Sequence, residues 1–175
     1  MKDTKNLIEK LKNIKLLVLD VDGTLTNSQV YYSKNGEELK AFSIRDGMGI
    51  ELWHRAGFQC AILTSESSPI VEARAKKLKF EYIVLGSRNK KQDLEDLSVK
   101  SGIKLAEIAY VGDDVNDLQA LEIAGVSACP ADSVDIVCDI VDYVCKNNGG
   151  GGAVRELIDL ILKSQEKATT LPTNW

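Results

Sequence analysis

No apolar run in these 175 residues approaches the roughly 20 residues that a membrane-spanning helix requires. The N-terminal stretch MKDTKNLIEKLKNIK is mixed in charge and amphipathic, and it lacks the apolar centre of a secretion signal. A cytoplasmic protein with no membrane partner is therefore expected. Histidine is nearly absent. His54 is the only one, and the four cysteines (Cys60, Cys129, Cys138 and Cys145) form no CxxC pair. A metal site built from cysteine and histidine is poorly supplied, and reduced, mostly buried thiols are the plain reading. An excess of positive charge is lacking too. The formal net charge is −4, which argues against nucleic acid as a general partner. A small anionic substrate stays open, because a few local cations or a metal reverse the field locally. No internal repeat and no dividing linker interrupts the chain. One domain over residues 1–165 is expected, with a polar, mobile tail over 166–175.

What is present is alternation. KLLVLDVDG, FQCAILTSE, EYIVLG, EIAYVGDDVND, VSACPAD and YVCK read as strands, and helical patterns separate most of them. Those helices are DGMGIELWHRAG, SSPIVEARAKKLK, KKQDLEDLSVKSG, DLQALEIAG and SVDIVCDIV. Two more flank the set, over residues 4–13 and in AVRELIDLILKSQEK. The pattern predicts a doubly wound α/β fold with a mostly parallel sheet. QVYYSKNGEELKAFS adds a β-hairpin after the first strand, its turn expected at Asn35-Gly36. Ser67 or Ser68 is the expected cap of the helix beginning near Pro69. The four glycines 149–152 form either a flexible joint or a place where backbone approaches a ligand.

In such sheets ligands bind beyond the carboxyl ends of the strands, and the acids fall there. Asp20 and Asp22 follow the first strand, Thr64 the second, and Asp113, Asp114 and Asp117 the fourth. Lys90 opens the helix after the third. Two carboxylates at the end of a buried strand repel one another and lose solvation. A hard cation such as Mg²⁺ offsets both and also binds phosphate oxygen. Asp20 is then placed to attack phosphorus, and Asp22 to protonate the leaving oxygen and later deprotonate water. Thr64 and Lys90 supply donors around the transferring group.

DVDGTLT, LTSE, Lys90 and GDDVND resemble the four motifs of the haloacid dehalogenase superfamily of phosphohydrolases. IRDGMGI, AILTSESSPIVEARAKKLK, YVGDDVNDLQAL and GGAVRELIDLIL are similar to its small, cap-less phosphatases of 8- or 9-phosphorylated 3-deoxy-2-keto sugar acids. The likeness spans about residues 14–162. It implies Asp20 as nucleophile and Asp22 as acid/base. It implies Mg²⁺ on Asp20, Asp113 and the main-chain carbonyl of Asp22, with Thr64 on the phosphoryl group. Lys90 would steady Asp20, and Asp117 would orient Lys90, with Asp114 beside it. It also implies a homotetramer in which the hairpin packs against neighbours and an adjacent subunit completes each site.

The motif around Thr64 departs from the eight-carbon pattern. Ser65 and Glu66 stand where that group has glycine and arginine. Glu66 with Arg74 and Lys77 resembles the nine-carbon phosphatases, so a nonulosonate 9-phosphate is the expected substrate. The eight-carbon octulosonate 8-phosphate of lipopolysaccharide biosynthesis is the alternative. A non-catalytic assembly module beside a sugar-nucleotide enzyme is a rival of another class, and a phosphotransferase a third. Arg45 and Asp46 read as substrate contacts or as the start of a helix with Asp46 as its cap. Gly47 is expected to let backbone approach phosphate. Arg155 is expected either to reach a carboxylate across a subunit boundary or to pair with Glu156 or Asp159. His54 is read as structural.

Overall fold

The computed structural model describes residues 4–173. Six strands form one parallel sheet in the order β5-β4-β1-β6-β7-β8, and β2 and β3 form a separate antiparallel pair. The sheet strands are β1 (Leu16–Leu19), β4 (Gln59–Leu63), β5 (Tyr82–Val84), β6 (Ile108–Val111), β7 (Val126–Cys129) and β8 (Tyr143–Val144). The hairpin strands are β2 (Thr26–Ser33) and β3 (Gly36–Phe42). The helices are α1 (Thr4–Leu11), α2 (Ile44–Arg55), α3 (Pro69–Lys77), α4 (Lys90–Ser101), α5 (Leu118–Ile123), α6 (Asp135–Ile140) and α7 (Ala153–Ser164). The expected doubly wound fold with a hairpin insertion is the observed one.

β1 is central because its four residues, LLVL, are all buried. Leu17 and Leu19 pack on one side of the sheet with α1, α2, α3 and α7. Leu16 and Val18 pack on the other with α4, α5 and α6. Both faces of the strand thus gain roughly 1.5–3 kcal/mol per buried leucine or valine, which explains an apolar run without alternation. β1 pairs with β4 through Leu19↔Ile62 and with β6 through Leu19↔Val111. These parallel registers bring Asp20, Thr64 and Gly112 to one edge.

Several local expectations shift. The hairpin turn is Lys34–Asn35, since Ser33 pairs with Gly36, and Gly36 takes the positive φ of 115°. Helix α2 starts at Ile44 rather than at Asp46. Ser43 caps it, its Oγ accepting from the Arg45 and Asp46 amides. Ser68 occupies the cap position of α3 but makes no capping bond. In the expected tail, the Lys167 ammonium lies 5.9 Å over the Phe58 ring and Leu171 packs on the core. Residues 174 and 175 lie outside the described residues.

The glycine run has a packing explanation. A Cβ on Gly149 would sit 1.8 Å from the Gly23 carbonyl oxygen, and the Gly150 amide donates to the Thr24 carbonyl at 3.1 Å. Residues 149–150 therefore approach the loop that follows Asp20.

Candidate active site

The loop after β1 carries Asp20 into the sheet edge, where its own amide donates to the Val111 carbonyl at 2.9 Å. Asp20 is buried, and so is Lys90 at the first position of α4. The Lys90 ammonium bridges Asp20 Oδ1 at 2.7 Å and Asp117 Oδ1 at 2.6 Å. Asp117 is saturated. Its Oδ1 also accepts the Tyr110 hydroxyl, and its Oδ2 accepts the Asp113 and Asp114 amides at 3.1 and 3.4 Å. A buried carboxylate with these donors is fixed, so it fixes Lys90 in turn.

Asp113 stands across from Asp20, half-buried. Its near approach depends on Gly23, whose φ is 93° and whose Cβ, if present, would lie 1.9 Å from Asp113 Oδ2. Carboxylate oxygens of Asp20, Asp113 and Asp117 lie within 4.8 Å of one another. Burial first, then the neighbouring Asp117, pushes the Asp20 carboxyl up to about 7. Burial, then Asp20 and Asp117, pushes Asp113 up to about 8. Such crowding is the signature of a site built around a cation. Asp117 is spent on Lys90, Tyr110 and two amides, which leaves Asp20 and Asp113 as the carboxylates that fit a hard divalent ion.

Asp20, Asp22, Thr64, Ser65, Glu66, Asp114 and Asn116 line one cavity of about 210 Å³. Thr64 is held by its amide on the Val84 carbonyl and by its carbonyl accepting from Ser87. One Asp22 oxygen accepts from the Lys40 ammonium, and the other, Oδ2, is buried with no hydrogen-bond partner. The catalytic and metal residues read from the sequence are thus gathered at one place.

Of the expected substrate residues, Ser65 and Glu66 line that cavity and Arg45, Asp46, Gly47, Arg74 and Lys77 do not. Arg74 donates to the Ser43 carbonyl at 3.1 Å and lies 5.5 Å over the Phe42 ring, while Lys77 is exposed. Glu66 lines the cavity, whose lining does not include Arg74 or Lys77. A Cβ on Gly47 would sit 2.9 Å from the Arg74 guanidinium, so the glycine makes room for that side chain. Asp46 accepts the Arg155 amide at 2.8 Å and ties α2 to α7. Arg45 and Arg155 line a different cavity of about 450 Å³, together with Lys146 and Lys163. Arg155 pairs with Asp159 at 2.9 Å. Glu156 serves the 146–147 backbone instead. His54 contacts the Leu78 carbonyl, Cys60 and Glu81, a packed structural position.

The sequence reading missed Lys40, Tyr110 and Asn116. Lys40 alternates with outward residues on a hairpin strand, and nothing in its local sequence shows which face turns to the site. Tyr110 lies within an apolar strand, where a tyrosine passes for core.

Comparison with known proteins follows the same lines. The sequence profile of the haloacid dehalogenase-like hydrolases matches residues 48–125. The chain is 40% identical over 165 residues to 3-deoxy-D-manno-octulosonate 8-phosphate phosphatase of Haemophilus influenzae, covering 94% of this chain and 92% of that protein. It is 41% identical over 162 residues to the Escherichia coli K12 enzyme of the same name, covering 93% and 86%. The chain belongs to the octulosonate 8-phosphate phosphatase family of the haloacid dehalogenase superfamily. This phosphatase superposes on the cobalt-bound Haemophilus influenzae structure with a TM-score of 0.91 at 40% identity, covering 94% of this chain and 96% of that one. It superposes on the Moraxella catarrhalis phosphatase, solved with magnesium, phosphate and KDO, with a TM-score of 0.90 at 39% identity, covering 93% and 94%. Relatives of the phosphatase thus hold divalent metal, as the pair of crowded carboxylates suggested.

Proposed function

We propose that this phosphatase hydrolyses 3-deoxy-D-manno-octulosonate 8-phosphate, with Mg²⁺ as its metal. The carrying observation is the single cavity that Asp20, Asp22 and Thr64 share, beside Lys90 and Asp113. Lys90 holds one Asp20 oxygen and leaves the carboxylate facing the cavity for attack on phosphorus. As the P–O bond to the sugar breaks, Asp22 gives its proton to the departing alkoxide. The resulting aspartyl-phosphate is then attacked by water, which Asp22 deprotonates, and inorganic phosphate leaves. Thr64 donates to the phosphoryl oxygens. Asp20, Asp113 and the Asp22 carbonyl would hold the Mg²⁺, whose contribution when bound is to offset the carboxylate charge and draw electron density from phosphoryl oxygen.

The eight-carbon ester replaces the nine-carbon one expected from Glu66. Relatives named for the eight-carbon ester, 40% identical along nearly the whole chain, support it. Arg74, one of the residues behind the nine-carbon expectation, is engaged with the Ser43 carbonyl and the Phe42 ring. Glu66 at the cavity still favours hydroxyl donors over a carboxylate, so the comparison is worth making. With Mg²⁺ present, kcat/KM is expected to be higher for the octulosonate 8-phosphate than for a nonulosonate 9-phosphate. The opposite order returns the substrate to nine carbons.

The working unit proposed is a homotetramer in the cytoplasm, a neighbour's surface closing each open cavity. Tyr31, Tyr32 and Leu39 are exposed on the hairpin. Apolar groups in that position suit burial against another copy. Among the described residues no helix is long and apolar enough to cross a membrane.

A further inference from the structure

The hairpin sends one side chain into the site. Lys40, on β3, has an ammonium-bearing side chain only 1% exposed. It pairs with Asp22 Oδ1 and, at 3.1 Å, with Glu37 Oε1. Glu37 Oε2 accepts the hydroxyl of Ser68. Ser68 stands at the cap position of α3 yet makes no cap bond, its hydroxyl being given to Glu37. An unbroken line of contacts therefore runs from the loop after β1, through the hairpin, to the loop after β4.

Burying an ammonium is expensive unless carboxylates surround it. Burial would push the Lys40 group down, but Asp22 and Glu37 outweigh it and hold it above its ordinary value. A fixed cation on Oδ1 leaves Asp22 one unengaged oxygen, Oδ2.

We infer that Lys40 is a positioning residue for the acid/base, its contact with Oδ1 fixing the orientation from which the Asp22 carboxylate serves the leaving group and the attacking water. This rests on the role proposed above for Asp22. Lys40 itself touches no reacting atom, and the Glu37–Ser68 arm holds it from behind.

The test uses the leaving group. An alkyl sugar phosphate needs a proton as its P–O bond breaks, whereas p-nitrophenyl phosphate releases a stable phenolate without one. In Lys40→Met, kcat/KM for octulosonate 8-phosphate, or for the nine-carbon ester if that is the one turned over, is expected to fall roughly 100-fold, the lower end of what general acid catalysis supplies. For p-nitrophenyl phosphate the fall is expected to stay within about threefold, because that step needs no acid. Equal losses on both esters, or no loss, overturn the inference. Because Lys40→Met leaves two carboxylates without their cation, the Asp22→Asn background supplies a second arm. There Lys40→Met is expected to change the ratio of the two kcat/KM values less than about twofold, as a double-mutant cycle requires of residues acting through one another. A full-sized change in that background also overturns it. Failure of the substrate assignment would appear separately, in the unmodified protein, as preference for the nine-carbon ester or as absent turnover of both.

Discussion

Two carboxylates on either side of Lys90 divide the labour. Asp20 faces the cavity, and Asp117 is wholly enclosed behind it. Removing them should therefore have different consequences. Asp20→Asn keeps the shape and loses the proposed nucleophile, so turnover is expected to vanish while the thermal transition persists. A phosphoenzyme trapped in that variant would refute the assignment. Asp117→Ala leaves Lys90 with half its countercharge and the Asp113 and Asp114 amides with no acceptor. That is the breaking of a buried ion pair, and a loss of about 3–5 kcal/mol is expected in urea denaturation. A loss under about 1 kcal/mol would place Asp117 among surface pairs, against its burial.

At the scale of elements, the chain's local rules located most pieces and erred at their seams. The apolar runs gave the strands because a parallel sheet is covered on both faces, so burial and sequence coincide. The acids at strand ends were legible for the same reason: parallel registers force Asp20, Thr64 and Asp113 to one edge. Ser43 was not legible as the cap of α2, since Asp46 is an equally good capping residue and only its tie to the Arg155 amide removes it. The substrate residues were read from the family resemblance and from helix spacing, but Arg74 turns toward Ser43 and Phe42, a tertiary choice that neither encodes. The glycine run shows the same limit. Its length is visible, but its partner is the loop at Gly23, far away in sequence. Gly149→Ala should force that contact open. A loss of about 1–3 kcal/mol is expected, typical of overpacking, with kcat falling as the loop after Asp20 shifts. Unchanged kcat and stability would mean the loop yields freely.

Taken whole, the molecule folds against its own charge at one point. Asp20 and Asp113 titrate near neutrality when folded, against an ordinary carboxylate value of 3.8. Raised values mean that the folded protein binds more protons than the unfolded chain between about pH 4 and about pH 8. Without metal, stability from this pair is therefore full below that window and is lost as pH rises through it. Mg²⁺ is expected to restore it. The gain in melting temperature on adding Mg²⁺ to chelator-treated protein should be larger near about pH 8 than near about pH 5.5. Equal gains would locate the ion elsewhere. The exposed hairpin belongs to this scale as well. Tyr32→Glu with Leu39→Glu is expected to reduce the mass found by sedimentation equilibrium and to lower turnover. An unchanged mass in the double variant would remove the hairpin from the proposed tetramer's interface.

The contact of residues 149–150 with the Gly23–Thr24 backbone also bears on when activity begins during synthesis. A ribosome adds Asp20, the proposed nucleophile, 130 residues before Gly150, so the stretch through residue 150 must follow before that loop has its brace. Stalled nascent chains ending before the glycines should be inert, and hydrolysis should start only after residue 150 has been added and has reached the Gly23–Thr24 loop.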